Sequence, residues 1–102
     1  MISLQDIKTA FRNYSYHYGS APIGSELPYI VATNAETDNF AADSKVYEKR
    51  ANLALECYFA KKNETAEESI EAILDGLGVF WNKTESFDDD ESFYLITYSF
   101  WR

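Results

Sequence analysis

From Val46 to Ala60 the chain alternates: Tyr47, Ala51, Leu53, Leu55, Cys57 and Phe59 share one parity, while Glu48, Arg50, Asn52 and Glu56 share the other. A period of two is that of a β-strand with one face in a core and one turned outward, and a helix cannot satisfy it. The run predicts the longest strand of the chain and requires an apolar cover for one of its sides. Two segments can supply one. Leu4, Ile7, Phe11 and Tyr14 recur at steps of three and four behind a Ser3 and Asp6 capping pair, which predicts a helix over 3–14. Ile70, Ile73, Leu74 and Leu77 do the same behind a Thr65 and Glu68 capping box, with Gly76 and Gly78 to end that second helix.

The remaining segments read as strands and turns. Ser15 to Tyr18 is a short strand candidate, followed by a loop from Gly19 to Glu26 that holds Pro22 and Gly24. Pro28 cannot donate to a ladder, so a second strand should start about there and run through Thr33. Asn34 to Lys45 is polar except for Ala35, Phe40, Ala41 and Ala42, and so long an insertion between two strands predicts an arm. Val79 to Phe87 and Phe93 to Trp101 flank Asp88-Asp89-Asp90-Glu91-Ser92 and predict a terminal antiparallel hairpin. The fold class that follows is α+β: a single domain with two helices packed on one face of a mainly antiparallel sheet, carrying an extended hairpin arm. Along the last strand Tyr94, Ile96, Tyr98 and Phe100 lie on one side, and Phe93, Leu95 and Trp101 on the other. Two helices can cover only one face, so the second apolar face implies a partner surface.

Charge and residue chemistry narrow the function further. The 102 residues carry a formal net charge of -8, which opposes any grip on nucleic-acid phosphates. Cys57 has no second cysteine to pair with and reads as a small core residue of a protein in a reducing compartment. No apolar run reaches the ~20 residues of a membrane span, and Met1 to Asp6 does not resemble an export signal. The Asn-x-Ser/Thr triplets at Asn13, Asn63 and Asn82 therefore carry no meaning as glycosylation sites. A single histidine, His17, cannot build a triad with a spare or a His-rich metal site, and no phosphate loop, dinucleotide fingerprint or nucleophile elbow is present. No catalytic residue, cofactor or metal ligand is expected. The run Asp88 to Glu91 lacks the spacing and glycine of a calcium loop and reads as a solvated turn. Glu64, Glu67, Glu68, Glu71 and Asp75 line the polar side of the second helix, either as a solvated face or as a negative surface shown to DNA or to a basic partner.

Leu27-Pro28-Tyr29, Asp38 with Phe40, Ala42-Asp43, Val46-Tyr47, Leu55-Glu56-Cys57-Tyr58, the Glu-rich helix, and Trp81 with Lys83 together give a pattern spread over nearly the whole chain. It resembles the small tail terminators, or tail-completion proteins, of long non-contractile-tailed phages and prophages of Gram-positive bacteria. The resemblance implies a homo-oligomeric ring, generally a hexamer, on the head-proximal end of the tail tube. Such a ring ends tube growth and offers the surface that joins the head-tail connector, placing the protein in the virion after assembly in the host cytoplasm. Its partners would be itself, the tail tube protein and the connector, and DNA would pass through without specific binding. On the arm, Asn39, Phe40, Ala41, Asp43 and Lys45 are the candidate contacts with an adjoining subunit, with Phe40 as apolar anchor or else folded back on its own sheet. Two alternatives stay open: a head-tail adaptor or stopper, and a small acidic inhibitor that mimics DNA with the carboxylates of the second helix.

Overall fold

In the computed structural model two helices and five strands follow one another as α1 (Leu4–Ala10), β1 (Tyr16–Tyr18), β2 (Tyr29–Asn39), β3 (Lys49–Phe59), α2 (Glu64–Leu77), β4 (Trp81–Asp88) and β5 (Phe93–Trp101). The structure describes residues 2–39 and 49–101, with the backbone alone for 35–39 and 49–51.

The strands form one sheet in the order β1-β2-β3-β5-β4. β1 runs parallel to β2, and all other neighbours are antiparallel. The fold is therefore α+β, as the alternation and the two helical stripes predict. Parity decides what each strand buries. Ile30 and Ala32 of β2, Leu53, Leu55, Cys57 and Phe59 of β3, and Ile96, Tyr98 and Phe100 of β5 form one continuous core with Ile7 and Phe11 of the α1 segment and Ile70 and Leu74 of α2. Both helices thus pack on one face.

Local chemistry sets the boundaries. Ser3 caps α1 reciprocally: its hydroxyl accepts from the Asp6 amide at 3.0 Å, and Asp6 accepts from the Ser3 amide at 3.1 Å. The helix ends at Ala10 rather than Tyr14, because the chain must turn into β1. The apolar spacing nevertheless continues: Phe11 is fully buried, and Tyr14 and Tyr16 place their rings edge-on and parallel to it at 5.6 and 6.2 Å. For α2 the cap is Asn63, whose side chain accepts from the Ala66 amide at 3.0 Å, so the Thr65 and Glu68 capping box does not form. Gly76 lies inside this helix, and Gly78, in the left-handed region at φ 75°, ends it.

β2 departs most from expectation. It runs on through Asn39 and stays paired with β3 to the Asn39↔Lys49 position, with a register shift between Asn34 and Glu36 that leaves Ala35 as the extra residue. β3 is described as Lys49–Phe59, the expected start at Val46 lying outside the described residues, and β4 begins at Trp81 rather than Val79.

Candidate functional site

The sheet gives β2 and β3 unequal support along their length. β1 accompanies β2 only as far as Ala32, and β5 accompanies β3 only as far as Asn52. Thr37↔Ala51, Asp38↔Arg50 and Asn39↔Lys49 lie beyond both, so the hairpin leaves the sheet as a two-stranded ribbon. Isolated two-stranded ribbons are marginal in water, and this one projects with unpaired backbone edges among the described residues. Of the predicted contact residues, Asn39 ends β2 at the far point of the ribbon, while Phe40, Ala41, Asp43 and Lys45 lie outside the described residues.

The helix-free face carries the second apolar set. Tyr29 and Tyr58 stack at 4.8 Å, Phe93 meets Tyr58 edge-on at 5.2 Å, and His17 meets Tyr29 edge-on at 6.2 Å. The result is an aromatic row crossing β1, β2, β3 and β5, half-buried by its own neighbours and with no helix above it. The Tyr58 hydroxyl donates to Glu56 at 3.1 Å; burial first, then the Glu56 charge, push its pKa up to about 12. His17 has Ser15 Oγ 3.3 Å from its Nε2 and belongs to this row.

Two further features mark opposite ends of the sheet. At the start of β2 and the end of β3, a cleft of about 210 Å³ opens between Tyr14, Pro28, Ile30, Phe59, Ala66 and Ile70. A neighbouring hollow of about 270 Å³ shares Pro28 and Phe59 with it. At the other end, just before β4, Phe80 is 94% exposed. Sequence reasoning placed Phe80 in a strand and missed both features. The available signal was Val79-Phe80-Trp81 itself, three bulky residues following the Gly78 cap with room in the core for only some of them.

The acidic residues of α2 separate into different environments. Glu64 and Glu68 are exposed, and exposed Asp75 accepts from the Trp81 indole at 2.9 Å. Glu67 is 2% exposed, so it does not belong to a solvated stripe. It sits over β4, where Lys83 reaches it at 2.6 Å and Lys62 at 3.0 Å. Lys83 also binds Glu71 at 2.8 Å, Lys62 also binds Glu85, and the buried Tyr98 hydroxyl donates to Glu71 at 2.8 Å. The cause lies in β4: Trp81, Lys83, Glu85 and Phe87 oppose Phe100, Tyr98, Ile96 and Tyr94, so the strand turns two charges toward α2. These charges require partners: Glu67 and Glu71 supply them for Lys83, and Lys62 supplies one for Glu85.

Burial works against the Glu67 charge, but the hydrogen bonds from Lys83 and Lys62 prevail and hold its carboxyl below the ordinary 4.5. Folded Glu67 therefore stays ionised where the unfolded chain would take up a proton. Its contribution is present above pH 4.5 and is lost as pH falls through the depressed value. Urea midpoints measured in that acid range should decline in the native chain and decline less steeply in Glu67→Gln. Parallel declines would remove Glu67 as a source of acid sensitivity.

Cys57 is fully buried, and burial first, then Glu67 and Glu56, push its thiol up to about 12. It is a core residue without nucleophilic character near neutral pH. Asp88 closes the last hairpin by accepting from the Asp90 and Glu91 amides at 3.0 and 3.1 Å, and the acidic run forms that turn. Among the described residues no group of three or more His, Cys, Asp or Glu side chains is placed to hold a metal ion, and no helix is long and apolar enough to cross a membrane. No protein-family model matches the chain, and no curated protein matches it.

Proposed function

We propose that this chain is a tail terminator: a subunit of a ring that caps the head-proximal end of a phage tail tube, stops its growth and receives the head-tail connector. The ribbon carries the reading. A hairpin that outruns its sheet by three pairs has no neighbouring strand among the described residues, and a projecting element with a separate receiving face is what a heterologous, ring-closing interface needs.

The aromatic row supports the same reading, as a half-covered patch rich in the residue types favoured at interfaces. The net charge of -8 per copy means that six copies would repel rather than retain a passing duplex.

The DNA-mimic alternative has less support. A mimic needs a row of free carboxylates, and on α2 Glu67 and Glu71 are neutralised by Lys83 and Lys62.

Tails from cells lacking the protein should be overlong and headless when viewed by electron microscopy, and normal length should return with the native chain. Phe40→Ala should yield a folded chain that restores neither length nor joining. Tails of normal length without heads in the deletion would instead mark a stopper, and unaltered tails would remove the protein from tail assembly.

A further inference from the structure

We infer that Phe80 of one copy seats in the end cleft of the next copy, so that the cleft lined by Tyr14, Pro28, Ile30, Phe59, Ala66 and Ile70 is the receiving site of the subunit contact. The inference rests on the ring reading above and names where two copies meet.

Cleft and ring are complementary in size and chemistry. At about 210 Å³ the cleft falls below the ~300 Å³ at which small-molecule sites begin. It suits one large side chain: its walls are mainly aromatic and aliphatic, with Asn13, Ser15 and Asn63 as the polar part of the lining and Ala66 as a short residue on its wall. Phe80 is 94% exposed, so its own core takes almost none of it. One such residue is ordinary on a surface. Here, however, it has company: Trp81 pairs with Phe100, and one residue further on, Phe80 just before β4 and the 36% exposed Trp101 at the end of β5 lie at the same corner.

Position excludes self-occupation. Leu53, Phe100 and Trp81 form one row across β3, β5 and β4, whereas the cleft lies by Phe59, six residues further along β3. At about 3.3 Å per residue the separation is roughly 20 Å, beyond the reach of any side chain. Ring and cleft are therefore at opposite ends of one sheet, and the contact can form only between copies. Repeated around an axis, that head-to-tail contact closes into a ring.

The test uses Phe80→Cys combined with Ala66→Cys in the full chain. Two positions ~20 Å apart in one copy cannot form a disulfide, which needs Cα atoms within about 7 Å, and buried Cys57 takes no part. Tail fractions carrying this variant, oxidised and run without reductant, should give a covalent ladder that neither single variant gives. Phe80→Asp, at a surface position that leaves the fold intact by circular dichroism, should cut tail-bound protein about ten-fold or more, as loss of a central anchor does. Ala66→Phe, which fills the cleft, should do the same.

If the native chain caps tails, yet the double-cysteine protein in those tails forms no ladder and Phe80→Asp caps normally, the cleft assignment is overturned and the ring reading stands. If the native chain is absent from tails altogether, the ring reading fails and the inference fails with it.

Discussion

Phe11→Ala should lower the unfolding free energy by about 3–5 kcal/mol, the range for emptying a fully buried aromatic position. Phe11 is 0% exposed and follows directly on α1, where it joins that helix to the sheet core, meets the Tyr14 ring edge-on and stacks on the Tyr16 ring. Removing it empties space next to Ile7 and loosens the connection through which α1 leads into β1. A domain of this size holds only 5–15 kcal/mol in total, so the loss is a large share. Urea titration followed by far-UV circular dichroism would measure it. A loss below 1 kcal/mol would mean that the α1 segment contributes little to the core.

The second large effect concerns charge. Lys83→Met should destabilise by about 2 kcal/mol. Breaking a buried pair costs about 3–5 kcal/mol, and the figure is reduced here because the Lys83 side chain is 32% exposed and Lys62 still reaches Glu67. The informative variant is the double one. Lys83→Met with Glu67→Leu removes both charges and leaves apolar groups of similar bulk, a replacement that is often neutral or stabilising. The double variant should therefore recover most of the loss. If it falls as far as the sum of its parts, the pair is not the unit that matters, and the contacts of Lys83 with Glu71 or with the Tyr98 ring carry the effect.

How much of this was legible in the sequence depended on whether a segment packs against a core. The odd residues from Leu53 to Phe59 and the even ones from Tyr94 to Phe100 announce their buried faces because burial selects them by parity. Both helices were equally legible from Ile7, Phe11, Ile70 and Leu74. Asn34 to Asn39 gave no such sign: the residue types there follow no apolar alternation, that part of β2 is paired with β3 through the backbone, and the register shift at Ala35 would break the parity of any alternation. The ribbon could thus be foreseen as an arm but not as a continuous ladder.

For the acidic helix the reason is different. Spacing shows which residues share a face but not what the opposing strand presents. Glu67 turns inward because Lys83 of β4 lies on the core side of its strand, and only the pairing of β4 with β5 establishes that. The end cleft was likewise beyond sequence reading, since it arises where Tyr14, Phe59 and Ala66 come together from three separate segments.

The charged inner side of β4 has one more outcome. This strand borders the sheet over Trp81–Asp88, and such a border ordinarily invites stacking of one molecule on another into fibrils. Lys83 is held by Glu67 and Glu71 of α2 and Glu85 by Lys62, and charges placed on the inner side of a bordering strand disfavour the flat pairing of a foreign strand. Across the sheet, β1 stops at Tyr18 while β2 continues with no strand beside it on that flank among the described residues. Sideways growth is therefore disfavoured along β4, and a foreign strand is expected to add on the β2 flank instead.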